Sequence, residues 1–162
     1  MENGAEPTFR TERYIWLKAK VKIDLLSIDE ELEEIPTLIQ ETGECVSIAM
    51  ELRELAKEDL EVARAIAATR LRLVPKADGK SRSEAQIESE IPADKGYQDQ
   101  LGTVSIARLD AALWQTLMEA FRSKSSVIRT TADLITAGYL TSDYIMSKRR
   151  AEIRRVKPKV AS

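Results

Sequence analysis

The sequence of 162 residues has no histidine and a single cysteine, Cys45. A disulfide framework is therefore excluded, and so is a zinc site built from cysteine and histidine. Without histidine, a nucleophile and its base would have to be a serine–lysine or cysteine variant, and no local signature of either is present. A glycine-rich phosphate loop followed by lysine and serine or threonine is also missing. These absences predict a protein that is not an enzyme, with no catalytic residues, no metal and no cofactor.

Aromatic residues make up only 5% of the chain, whereas 43% of the residues are hydrophobic and 32% are charged. This balance is typical of a helical domain and lies outside the composition of disordered chains. Residues 1–13 lack the apolar core of a signal peptide, and no apolar run approaches the roughly 18 residues of a membrane span. The sequence therefore predicts a cytoplasmic protein with no membrane contact.

The charged residues are segregated along the chain, although the net charge is only -2. Residues 24–61 are strongly acidic, whereas residues 148–159 are strongly basic and contain Glu152 as their only acid. Between them, residues 64–82 form a basic run in which Asp78 is the only acid. Such asymmetry predicts a site for a polyanion, or self-association of acidic and basic faces. A solvated acidic face and a solubilising basic tail are the simpler alternatives.

The hydrophobic pattern predicts an all-α fold. Residues 14–35 are helical in character, although the alternation in residues 21–25 is also compatible with a short strand. Pro36 and Gly43 are expected to interrupt the helical pattern. Residues 44–74 form the clearest helix, because apolar residues recur there in alternating steps of three and four. This apolar seam consists of Cys45, Ile48, Leu52, Leu55, Val62, Ile66 and Leu73.

A second apolar row lies beside the seam and widens the apolar face of this helix. It consists of Ala49, Ala56, Leu60, Ala63, Ala67 and Leu71. A face of this width favours a helical bundle that assembles into a homo-oligomer over a two-stranded coiled coil. We expect this helix and a later one, over residues 101–137, to form the core.

The second half of the chain predicts a turn, a short helix and a long helix. Pro75 and the Asp78-Gly79 pair predict the turn, and Ser83 or Ser81 is the expected N-cap of a helix that ends at Pro92. A long helix from about Asp99 should end or bend at Gly138. We expect two parts, a helical DNA-binding and oligomerisation domain over residues 1–140 and a basic C-terminal helix or tail over residues 141–162.

The basic run predicts a contact with a phosphate backbone. Its basic residues are Arg64, Arg70, Arg72, Lys76, Lys80 and Arg82. Tyr97 is the nearest aromatic residue, so binding to single-stranded nucleic acid would be mainly electrostatic. If about six phosphates are neutralised, a log–log salt slope near -4 is expected. A solvated basic turn is the alternative.

Four features of the second half resemble one known family. They are Arg70-Leu71 before the polar loop, Arg82-Ser83-Glu84 with Ile91 and Asp94 after it, Trp114 in the long helix, and the run LMEAFRSKSSVIR from Leu117 to Arg129. In order and spacing, the region from Thr69 to Thr130 resembles the phage recombination mediators typified by UvsY.

The resemblance implies an all-α homo-oligomer, expected to be a ring, that binds single-stranded DNA without chemistry. Its implied partners are single-stranded DNA, a single-stranded-DNA-binding protein and a RecA-like recombinase that it helps to load. If the chain is phage-encoded, its place is the cytoplasm of the bacterial host. The family's basic pair maps onto Arg70, with Ala68 in place of the other basic residue, whereas a shifted register would use Arg70 with Arg72.

The predicted DNA-binding residues come from the basic run, the long helix and the tail. They are Arg64, Arg70, Arg72, Lys76, Lys80, Arg82, Arg122, Lys124, Lys148, Arg149 and Arg150. Arg122 and Lys124 could instead snorkel from a helix face, with their charged ends in water. We expect Trp114 to be a packing anchor rather than a base-stacking platform. We expect Trp16 to be buried in the core, with a role in an interface as the alternative.

Three alternatives come from other classes of protein. A structural or adaptor protein would oligomerise and ignore DNA. A Mg²⁺-dependent all-α nucleotide pyrophosphohydrolase would use Glu30, Glu31 and Glu34 with acids downstream, but Glu stands where that family's pattern has Asp. A transcription-related helical protein would prefer duplex DNA.

Overall fold

The structure is a computed structural model that describes residues 11–74, 81–139 and Ser147. The fold is all-α, as predicted. The described residues form α1 (Glu12–Ala19), α2 (Ile28–Leu73), α3 (Glu84–Glu90), a 3₁₀ turn (Ile91–Ala93) and α4 (Lys95–Thr136). None of these helices is long and apolar enough to cross a membrane. The predicted features of residues 75–80 and 141–162, including the turn and the basic tail, lie outside the described residues apart from Ser147.

The predicted interruptions at Pro36 and Gly43 are wrong, because α2 passes through both residues. Proline lacks an N–H group and costs about 3 kcal/mol in a helix interior, and glycine costs about 1 kcal/mol. Ile35 and Leu38 on either side of the proline are 2% and 1% exposed, and their burial offsets this cost. Thr42, which is also buried, donates its hydroxyl to the Leu38 carbonyl (2.7 Å).

The N-terminal region is also more broken than the sequence predicts. The helix α1 ends at Ala19, and residues 20–27 form a non-helical connection to α2, with neither a continuous helix nor a strand. Trp16 was expected in the core, but it is 47% exposed. Its ring lies 5.5 Å from the Lys20 ammonium, which is within the range of a cation–π contact.

Two compact units divide the chain between them. One consists of residues Met1–Ile15 and Gly43–Thr116, and the other of Trp16–Thr42 and Leu117–Ser162. In the first unit Trp114 is 1% exposed, and Tyr14 meets it edge-on with ring centroids 5.0 Å apart. In the second unit Phe121 and Ile128 are fully buried. The expected packing role of Trp114 agrees with this placement.

In the first unit, the two apolar rows of α2 differ in burial. The alanines Ala49, Ala56 and Ala67 of the second row are buried, since each is at most 5% exposed. The larger side chains of the apolar seam are outside. These are Ile48, Leu52, Leu55, Val62, Ile66 and Leu73, which are 44–77% exposed. Within residues 44–74 the buried side chains therefore come from the second row and Ala68, and Cys45 is the only buried member of the seam.

The helix α3 starts where the sequence predicts. Ser83 has extended backbone angles (φ -77°, ψ 158°), and its hydroxyl accepts a bond from the Gln86 N–H, while the Gln86 side chain accepts one from the Ser83 N–H. This reciprocal capping box satisfies two donors that a helix start leaves unpaired. The helix then ends at Glu90, and Pro92 lies in the 3₁₀ turn that follows.

Replacing Ser83 by alanine should lower the free energy of unfolding by about 1 kcal/mol, because the cap is lost. Urea denaturation at a fixed protein concentration measures the change. Ser81→Ala is the matched control, since Ser81 is exposed and does not cap the helix, and it should change stability by less than about 0.5 kcal/mol. Equal losses in the two variants would contradict the assignment of the cap.

The long helix α4 ends at Thr136, and Gly138 terminates it, as predicted. Gly138 has φ +74°, a conformation that glycine adopts without strain. The Gly138 N–H bonds to the Ile135 carbonyl (3.0 Å), and the Tyr139 N–H bonds to the Leu134 carbonyl (2.9 Å). These are the two bonds of a Schellman motif.

Candidate nucleic-acid interface

The candidate interface is built where α3 packs against the C-terminal part of α2. Ile87 and Ile91 are 1% and 3% exposed and form one cluster with Ala67 and Ala68. Leu71 and Tyr97 pack against this cluster. Alanine methyl groups allow the short helix to approach α2 closely, so the acidic side chains of residues 84–94 come within reach of the arginines of residues 64–72.

Four arginines of the predicted site form ion pairs with this segment. We call Arg64, Arg70, Arg72 and Arg82 the arginine group, and Glu84, Glu88, Glu90 and Asp94 the acidic group. Each arginine is matched to one acid. The nitrogen–oxygen distances are 2.7 Å for Arg64–Glu88, 2.6 Å for Arg70–Asp94, 2.8 Å for Arg72–Glu84 and 2.7 Å for Arg82–Glu90. The described part of the basic run is therefore locally neutralised.

Arg70 and Arg72 do not act together on one partner. Residues two apart on a helix do not face the same way. Arg70 pairs with Asp94, which lies beyond the end of α3. Arg72 pairs with Glu84 at the start of α3 through two bonds, one from Nη2 to Oε2 (2.8 Å) and one from Nε to Oε1 (3.1 Å). The two guanidinium groups thus hold opposite ends of the acidic segment.

Arg82 has a structural role that the others lack. Its side chain is only 16% exposed. Beyond the pair with Glu90, its Nη1 donates to the carbonyls of Leu71 (3.2 Å) and Val74 at the C-terminal end of α2. A cation is favourable there, because the last carbonyls of a helix are unpaired and carry partial negative charge. We therefore leave Arg82 out of the surface available to a ligand.

Ion pairing shifts the pKa of three charged groups at this site. The Glu88 carboxylate raises the pKa of Arg64, and the Glu84 carboxylate raises that of Arg72. In return, the Arg72 guanidinium lowers the pKa of Glu84 below its ordinary value. A lowered carboxyl pKa means that the Arg72–Glu84 pair is present at neutral pH and is lost as the pH falls through this lowered pKa.

The two predicted site residues of α4 belong to the second unit, whereas the arginine group belongs to the first. Arg122 is exposed. Lys124 is buried, and its ammonium donates to the carbonyls of Lys20 (2.6 Å) and Lys22 (2.9 Å) and pairs with Glu31. Its ammonium is buried and does not extend into water from the helix face, so we leave Lys124 out of the proposed interface. Lys76, Lys80, Lys148, Arg149 and Arg150 lie outside the described residues.

The sequence reasoning missed the acidic group. Its signal was available, because Glu84, Glu88 and Glu90 follow the basic run directly, and Glu84 and Glu88 share one helix face by their spacing of four. Attention to the charges of residues 64–82 alone overstates the positive character of the site.

Two of the three carboxylates named for Mg²⁺, Glu31 and Glu34, pair with cations. Glu31 pairs with Lys124, and Glu34 receives a bond from Lys20 (2.6 Å). In the part of the chain that the structure describes, no three acidic or cysteine side chains come together as a metal site would require.

Comparisons with known proteins give no relative: no protein-family model, no curated protein and no solved structure matches the chain.

Proposed function

We propose that the chain is a helical homo-oligomer that binds single-stranded DNA and helps a RecA-like recombinase to assemble on DNA coated by a single-stranded-DNA-binding protein. The observation that carries the DNA-binding part is the placement of three exposed guanidinium groups around the docked helix α3. The side chains of Arg64, Arg70 and Arg72 are 48%, 58% and 52% exposed. The resemblance of residues 69–130 to phage recombination mediators supports the role in recombination.

Phosphates can replace the acids that hold these arginines. Exposed ion pairs contribute little to stability, because water and salt screen them. An arginine that pairs bidentately with a carboxylate, as Arg72 does with Glu84, has the geometry that also recognises a phosphate. Exchange of carboxylate for phosphate therefore needs a change of side-chain partner and no unfolding of α2.

Self-association would supply the affinity that one such site lacks. A few arginines on one chain give weak binding, but copies of the site in an oligomer raise the effective concentration of each contact. The apolar seam supports assembly, since six large apolar side chains of one helix are exposed. A row of this kind is typical of a surface that binds another protein chain.

A structural or adaptor protein that oligomerises without DNA is the second candidate. It is favoured by one specific observation, which is that each member of the arginine group already has an acidic partner. In that case the ion pairs would only fasten α3 to α2. Both candidates predict self-association, so DNA binding decides between them.

Replacing Arg70 and Arg72 together by alanine should weaken binding to a labelled poly-dT oligonucleotide roughly tenfold at low salt. The log–log salt slope should fall in magnitude by about 1.4, because two phosphate contacts are lost at about 0.7 each. Fluorescence anisotropy at several salt concentrations, with a duplex competitor, measures both quantities. Preference for the single strand supports the mediator over a duplex-binding protein.

The matched control is Arg53→Ala with Lys57→Ala, which removes two cations from the same helix. Arg53 and Lys57 both pair with Glu54 and lie outside the proposed interface. This variant should bind with nearly wild-type affinity. Unchanged binding in the Arg70/Arg72 variant would remove those residues from the interface. An equal loss of affinity in the Arg70/Arg72 variant and in the control would show that only the net charge of the chain matters. A recombinase-loading assay on coated single strands then tests the mediator role.

A further inference from the structure

The acidic group is arranged like a ligand of the arginine group. All four acids fall within residues 84–94, and each binds a different arginine. Arg64 and Arg72 are held by Glu88 and Glu84, which lie one turn apart on α3. A row of anionic oxygens spaced along one short helix offers the arginines what a stretch of phosphates would offer.

Apolar packing holds this row of acids in place. Ile87 and Ile91 lie between the acids in sequence and are almost completely buried against Ala67 and Ala68. The capping box at Ser83 fixes the start of the helix. Because the anchor is apolar, a polyanion that takes the arginines does not remove α3, and the displaced carboxylates stay beside the bound phosphates.

We propose that residues 84–94 act as a built-in competitor that weakens the binding of single-stranded DNA to Arg64, Arg70 and Arg72. This inference rests on the proposed function and adds a mode of regulation to the same site. Two effects lower the affinity. DNA must break existing ion pairs to reach the guanidinium groups, and like charges then lie close together. A partner or modification that neutralises or moves the acids would open the site.

The test is Glu84→Gln with Glu88→Gln, which removes two charges and keeps side-chain size and the ability to accept hydrogen bonds. Titration of labelled poly-dT at several salt concentrations should show roughly threefold to tenfold tighter binding than wild type, as expected for two exposed charge interactions.

The control is Glu51→Gln with Glu54→Gln, which changes the net charge of the chain equally. Glu54 pairs with Arg53 and Lys57 and does not touch the arginine group. Its affinity should stay within twofold of wild type. Circular dichroism checks that all variants keep their helical content.

The outcomes separate the inference from the proposed function. Equal affinity of wild type and the Glu84/Glu88 variant overturns the competitor and leaves DNA binding intact. An equal gain in the control variant also overturns it, since net charge alone would then explain the gain. Absence of binding in every variant at low salt overturns both proposals. Binding by the Glu84/Glu88 variant alone supports both and shows that the acids block the wild-type site.

Discussion

Replacing Lys124 by methionine should lower the free energy of unfolding by about 3 to 5 kcal/mol. The side chain is only 2% exposed, and its ammonium binds two backbone carbonyls as well as the Glu31 carboxylate. Methionine has a similar length and no charge, so two carbonyls and one carboxylate would lose their partner. The Oε2 atom of Glu31 is buried and has no partner besides this ammonium. Urea denaturation followed by circular dichroism, at a fixed protein concentration, measures the loss.

The connection between α1 and α2 explains why the loss of the Lys124 ammonium should lower the free energy of unfolding so strongly. Lys20 and Lys22 lie in that connection, and their carbonyls face α4 through Lys124. Glu31 also accepts a bond from the Asp24 N–H (2.9 Å) at the same connection. The buried pair therefore fixes a segment that has no regular structure of its own.

Two companion variants make the Lys124 prediction specific. Arg122→Met changes an exposed cation two residues away and should cost less than about 0.5 kcal/mol. Adding Glu31→Gln to Lys124→Met should recover at least about 1 kcal/mol, because it removes the unpaired buried charge. A cost below about 1 kcal/mol for Lys124→Met would contradict the burial of this ammonium.

Local signals in the sequence predicted two ends of elements correctly. The cap at Ser83 and the stop at Gly138 both depend on neighbours within a few residues. Pro36 and Gly43 show the limit of such rules. Each raises the free energy of the helix, but burial of Ile35 and Leu38 offsets the cost, and local sequence does not reveal that burial.

Burial was harder to predict because it depends on which face of a helix meets another element. The seam and the second row of α2 are both apolar, so the sequence pattern alone does not say which of them is buried. The structure buries Ala49, Ala56 and Ala67 of the second row, and Ala67 packs against Ile87 and Ile91 in this unit. The exposure of Trp16 is a second case in which apolar character did not predict burial.

The candidate site was predicted only in part, and for a similar reason. Arg64, Arg70 and Arg72 are exposed basic residues, as the basic run predicts. Their pairing with Glu88, Asp94 and Glu84 requires the chain to turn back after α2, so it depends on tertiary structure. Lys124 shows the opposite error, because a basic residue within a surface-like pattern is the most buried cation of the described structure.

Replacing Ile66 by aspartate should weaken self-association of the chain by a hundredfold or more. Ile66 lies in the apolar seam and is 53% exposed in the single chain. Its seam neighbour Val62 is 58% exposed. Burying an isoleucine side chain in an interface contributes about 1.5 to 3 kcal/mol per copy, and an unpaired carboxylate there adds a further cost. Sedimentation velocity over a range of protein concentrations measures the shift from oligomer to monomer. Single-strand affinity should fall with it, because the linked copies of the arginine group are separated.

Ala65→Asp is the matched control for this variant. Ala65 is the neighbour of Ile66, is also exposed, and does not belong to the seam, so the same charge is added to the same turn of α2 outside the proposed contact. This control should assemble as the wild type does. A monomeric wild type, or an equal loss of assembly in both variants, would contradict the role of the seam. If Ile66→Asp is monomeric and still binds poly-dT with wild-type affinity, assembly and DNA binding are independent, and the linkage of sites would no longer account for the affinity.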